Sequence, residues 1–120
     1  MPRFLIVLLV INVSVSFPQL LAQERPAYVL TEVTIHDRIA YQEYEAEFMP
    51  IVERHGGELI AVTDDPTVLE GGWSEMRVVL IRFETRQHAL DWYDSPEYQQ
   101  LAVIRRATST GTDLLINGRR

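Results

Sequence analysis

The sequence predicts an α+β fold in the order β-α-β-β-α-β, and three observations carry that prediction. Residues 28–35 and 76–84 are rich in β-branched and apolar side chains with strand-like alternation. Tyr41, Tyr44, Phe48 and Ile51/Val52 recur at helical spacing, with Glu43, Glu45, Glu47 and Glu53 largely on the other side. Cap and turn residues (Asp37, Gly56-Gly57, Thr85, Ser95-Pro96) punctuate the boundaries.

Taken in order, residues 28–35 are the first strand, and Asp37 caps the helix after it. Pro50 lacks the amide proton a helix interior needs, so a kink or interruption is expected there. Gly56-Gly57 should end the helix, one glycine being left-handed. A short strand over 58–63 closes on the Asp64-Asp65-Pro66 turn; residues 67–70 read as a further extended piece before Gly71-Gly72. Residues 76–84 are the clearest strand. Thr85 caps a second helix carrying Ala89, Trp92 and Tyr93. Ser95 and Pro96 restart it, with Tyr98, Leu101, Ala102 and Arg105 on one inner side. Residues 108–112 read as a turn around Gly111, and 113–117 as the last strand. Two helices on one face of a four-stranded antiparallel sheet make a ferredoxin-like, split-βαβ domain. Its other face is open and apolar, which implies a homodimer.

With 120 residues and 47% apolar side chains, the chain suits one small globular domain. All of its basic residues are arginines, scattered among 17 acids for a net charge of −6, so the basic stripe that nucleic acid requires is missing. The absence of cysteine excludes disulfides, thiolate metal sites and a cysteine nucleophile. Residues 1–22 run from a positive start at Arg3 through the apolar 4–11 stretch to Ala22, and Gln23, Glu24, Arg25 and Pro26 then turn polar. That order is the pattern of an export signal cleaved after Ala22, leaving a domain over 27–118 with a short tail at 119–120 and no stable membrane insertion; an uncleaved anchor and a start codon set too far upstream are the rival readings. The apolar part is shorter than the roughly 20 residues a membrane helix needs. The periplasm or the exterior is the expected location.

The run Asp91-Trp92-Tyr93-Asp94-Ser95-Pro96-Glu97-Tyr98 resembles the helical signature of the domain-of-unknown-function 1330 (DUF1330) family. Val68-Leu69-Glu70-Gly71-Gly72-Trp73 and the first strand from Ala27 to Glu32 support it, as does the polar 23–26 junction. Arg38 stands where the family often has proline, a change that suits a first helical turn. The resemblance implies a dimeric α/β-barrel: two ferredoxin-like subunits facing each other across their open sheets around a shared cavity. More distant relatives would include cofactor-free monooxygenases, cyclases, lactone isomerases and haem-degrading enzymes. The family has no agreed activity, so the resemblance assigns no catalytic residue.

Strand alternation suggests where a ligand would sit. Val79, Ile81 and Phe83 should face the helices with Val29, Val33 and Ile35, leaving Tyr28, Leu30, Glu32, Thr34, His36, Val78, Leu80, Arg82 and Glu84 on the open face. The first and third strands are neighbours in this topology, which would bring Glu32 within reach of Arg82. A mostly apolar surface with a few polar groups suits a small, largely apolar ligand. Two readings compete. In one, Glu32 or His36 is a general base, Arg82 steadies a substrate anion, and Tyr28, Leu30, Leu80, Glu84 and Trp73 line a cofactor-independent active site of oxygenase, isomerase or cyclase type. In the other, Glu32 and Arg82 are an ion pair at a dimer interface and His36 is solvated at a strand end. Haem held by His36 is a third, thinner possibility. His55 reads as a helix C-terminal cap, His88 as a solvated residue, and Trp92, Tyr93 and Tyr98 as core or interface. Trp73 follows two glycines and could reach a partner subunit or a cavity entrance. No histidine pair has ligand spacing, so neither a metal nor a cofactor is expected.

Overall fold

Alternation decides the layers. Ala27, Val29 and Val33 on one strand and Ile81 and Phe83 on another are each at most 5% exposed, while the residues between them are half-buried. The computed structural model describes residues 2–11, 24–73 and 77–120, so the cleavage position after Ala22 lies outside the described residues. Strands β1 (Ala27–Ile35), β2 (Glu58–Thr63), β3 (Arg77–Phe83) and β4 (Ser109–Asn117) form one antiparallel sheet in the order β2-β3-β1-β4. Helices α1 (Arg38–Arg54), α2 (Arg86–Asp94) and α3 (Pro96–Thr108) complete the expected order, the second helix being split at Ser95.

The caps act as the sequence indicates. Asp37 accepts from the Ala40 amide, Thr85 from that of His88 and Ser95 from that of Tyr98, with Pro96 opening α3. Gly56 takes the left-handed conformation (φ 76°) behind α1. His55 is the C-cap of α1, its Nδ1 3.0 Å from the Ile51 carbonyl.

Three expectations are corrected. Helix α1 runs through Pro50 without the interruption that was one of the two outcomes expected there, and Pro50 is exposed, so the carbonyl that loses its partner can turn to water. Residues 66–73 form no strand. Residues 109–112 belong to β4, not to a turn. Gly111 pairs with Val33, and a Cβ there would collide with the Glu32 carbonyl. Glycine is therefore needed for close strand approach, not for chain reversal.

Between helices and sheet lies an aromatic core. Trp92 packs 4.3 Å from Tyr98 and stacks on Phe83 at 5.5 Å, while Phe48 meets Trp92 edge-on. Trp92 and Tyr98 are thus core residues. Among the described residues no helix is long and apolar enough to cross a membrane.

Candidate functional site

On the open face the register puts Leu30 opposite Leu80 and Leu114, and Tyr28 opposite Arg82 and Ile116. Glu32 lies opposite Val78 and Thr112. Four residues of β1 therefore separate Glu32 from the rung that holds Arg82, about 13 Å at the usual strand rise. The expected Glu32–Arg82 proximity is not formed within one chain, because β3 pairs Arg82 with Tyr28 and, on its other side, with Glu58. His36 stands beyond the end of β1, exposed, with Nε2 2.7 Å from the Thr110 hydroxyl. Glu84 follows β3 and lines a separate polar groove with Arg54, His55, His88 and Asp91. Trp73 lies in the β2–β3 loop, 39% exposed. The sheet thus brings Tyr28, Leu30, Leu80 and Arg82 together, whereas Glu32, His36 and Glu84 stand apart from Arg82 or from the face.

A better-formed cleft lies on the other side, between α1 and the sheet. Edge strand β2 is exposed along its whole length, because the helix layer stops short of it. A bulge between Leu59 and Ala61 turns both Leu59 and Val62 toward the helices, opposite Ile81 and Val79. With Tyr41, Tyr44, Phe48 and Met49 of α1, Thr31, Arg77, Val79 and Arg105, they enclose about 200 Å³.

Its polar groups are ordered by depth. At the mouth, Arg77 holds Asp64 with two bonds (2.6 and 3.1 Å), reaches Glu45 at 3.3 Å and lies over the Tyr41 ring. Its guanidinium is held well above its ordinary pKa, chiefly by the bond to Asp64. The hydroxyl of Tyr44, which lines the cleft, is 3.0 Å from that of Tyr98, which does not. Burial pushes the Tyr44 phenol well above its ordinary range, and Tyr98 adds to that. Burial also raises Tyr41, against the pull of Arg77. Arg105 has a side chain only 11% exposed, with Asp113 at 3.5 Å. Burial opposes its charge, but Tyr98 and Asp113 outweigh that and raise its pKa. Asp113 in turn accepts from the Thr31 hydroxyl at 2.7 Å. The Nε of Arg105 is buried with no hydrogen-bond acceptor, an unusual state for a buried donor.

Chemically, the cleft offers a small apolar body walls of Phe48, Met49, Leu59, Val62 and Val79 beside the Tyr44 hydroxyl and two guanidiniums. The buried tyrosines stay protonated, so they are donors and not bases. These residues had a signal in the sequence. Arg77 continues the helix-facing set of Val79, Ile81 and Phe83, and Arg105 shares the inner side of α3. Asp113 had none that single-strand alternation could show.

Known proteins bear on the fold. A protein of unknown function from Rhodopseudomonas palustris aligns with a TM-score of 0.69 at 19% identity, over 87% of this chain and 92% of its own. SnoaB, a cofactor-independent oxygenase from Streptomyces nogalater, aligns with a TM-score of 0.51 at 18% identity, over 80% and 95%. A dimeric protein of unknown function with a ferredoxin-like fold from Bacteroides fragilis gives a TM-score of 0.54 at 8% identity, over 78% and 96%. At these identities the likeness is one of fold. No curated protein matches the chain. The family model described as "Domain of unknown function (DUF1330)" matches residues 26–119, nearly all of the folded region, and the chain belongs to that family.

Proposed function

We propose that this protein binds a small, largely apolar molecule in the cleft between α1 and the sheet, and that its open sheet face pairs with a second copy. The cleft's composition carries the first half: apolar walls from Phe48, Met49, Leu59, Val62 and Val79 around a few buried donors. The second half is supported by Leu30, Leu80, Leu114 and Ile116 sharing the other face, with Leu114 and Ile116 each 46% exposed, and by the dimeric state of ferredoxin-like relatives. Burying that face would remove an apolar patch that a monomer leaves in water.

Cofactor-independent catalysis, the chemistry of one fold neighbour, is the second reading. Arg105 and the tyrosine donors favour it, since they suit a developing oxygen anion. Against it stand the same groups, for Tyr44 and Tyr98 are held protonated and Asp113 is engaged by Arg105 and Thr31. Binding is therefore the reading we adopt. Export with processing after Ala22 is part of the same proposal. The order positive, apolar, small, polar over residues 1–26 supports it; mass spectrometry of the secreted N-terminus checks it, and a retained Met1 contradicts it.

The cleft is tested by thermal shift against a panel of small metabolites. Compounds that stabilise the wild type should lose their effect in Val62→Phe, which fills the cleft from the exposed edge strand. They should keep it in Glu32→Gln and Arg82→Ala. The opposite pattern would move the site to the open face.

A further inference from the structure

We infer that two copies pair across their open faces with strand directions reversed, so that Glu32 of each chain meets the partner's Arg82. This rests on the open face being the surface of self-association. Within one chain the two charges flank a common rung. Leu30 pairs with Leu80, Tyr28 pairs with Arg82 two residues to one side, and Glu32 pairs with Val78 two residues to the other. Each charge thus stands about 7 Å from the Leu30–Leu80 rung, measured along the strands. Both residues are half-buried, and among the described residues neither makes an ion pair. Even Glu58, opposite Arg82 on β2, is not bonded to it. Covering this face without a mate for them would bury an unpaired carboxylate and an unpaired guanidinium, a cost that apolar contact must then offset.

Symmetry offers two ways to lay the face against its own copy. A two-fold axis along the strands keeps like rungs together. It seats Glu32 beside the partner's Glu32 and Arg82 beside the partner's Arg82. The Glu32 end then holds two carboxylates, since the rung there carries only Val78 and Thr112 besides. An axis across the strands, over the Leu30–Leu80 rung, reverses the direction instead. Leu30 meets the partner's Leu30, and Glu32 meets the partner's Tyr28, with the partner's Arg82 one strand to the side. That step is about 4.8 Å, a distance a long arginine side chain spans. The pair forms twice, on either side of an apolar centre of Leu30, Leu80 and Leu114. Opposite charges placed evenly about that centre select this orientation over the other. The ion pair that one chain cannot close, two chains can.

The test is the dimer dissociation constant of the full chain at low salt, read by analytical ultracentrifugation for Glu32→Arg, Arg82→Glu and the exchanged chain Glu32→Arg/Arg82→Glu. Each single reversal sets like charges together at two symmetric places and should weaken the dimer by at least about tenfold. The exchange rebuilds both pairs with their signs swapped, and should return the constant to within about threefold of the wild type. Single reversals without effect would overturn the arrangement, because that is what an axis along the strands predicts. An exchanged chain as weak as the two losses combined would overturn it too. Should the reversals prevent folding, Glu32→Gln and Arg82→Gln complete the cycle: the double change should weaken the dimer less than the product of the single factors, and factors that simply multiply would rule out the contact. A monomeric wild type, or a dimer indifferent to Leu80→Arg, would instead discard the open face as the association surface.

Discussion

Tyr44 and Tyr98 lie 54 residues apart in sequence, on two different helices, and share one hydroxyl–hydroxyl bond in a buried setting. Tyr44→Phe takes one partner from the Tyr98 hydroxyl and leaves it Arg105, which should cost about 0.5–1.5 kcal/mol in urea unfolding. Tyr44→Phe/Tyr98→Phe should cost less than the sum of the single changes, because both remove the same hydroxyl–hydroxyl bond. The same burial makes a pH prediction. Tyr41, Tyr44 and Tyr98 all have pKa values raised above the ordinary 10.0, so their contribution is complete below that pH and is lost as pH rises through the native values. Alkaline absorbance titration should show three of the five tyrosines ionising only as the fold is lost; five titrating together in a folded protein would contradict it. At this scale the sequence was partly legible. Periodicity put Tyr41, Tyr44, Tyr98 and Arg105 on inner helix faces. It could not show that Glu32 and Arg82 sit on different rungs, because register depends on pairing between strands and not on either strand alone.

Elements were easier to read than contacts, since caps and glycines act locally. Asp37, Thr85, Ser95 and Gly56 each perform the expected role at the expected end of a helix. Gly111 misled for a physical reason: glycine marks turns through backbone freedom, but it also marks places where two backbones nearly touch. Gly111→Ala should therefore destabilise by about 1–3 kcal/mol through overpacking, with protection against hydrogen exchange lost first along the β1–β4 pairing. A neutral substitution would show that β4 can shift away from the Glu32 carbonyl. The β2 bulge was equally hidden. Glu58–Thr63 reads as a plain short strand, yet the irregularity at Leu59/Ala61 supplies two walls of the cleft.

For the molecule as a whole, the ferredoxin-like architecture was legible because its β-α-β-β-α-β order follows from patterns that each segment carries itself. Which face of the sheet serves which purpose was not, because both faces carry apolar residues. The separation proposed above assigns association to one face and ligand to the other. Leu80→Arg, set between Leu30 and Ala61 on the open face, should yield monomers by light scattering while the domain stays folded; a persistent dimer would place the interface elsewhere. The division of faces is tested most directly by methyl NMR of the full chain titrated with a panel compound that stabilises the wild type. The methyls of Met49, Leu59, Val62 and Val79 should shift, while those of Leu30, Leu80, Leu114 and Ile116 stay fixed. Shifts confined to the second set would contradict the account.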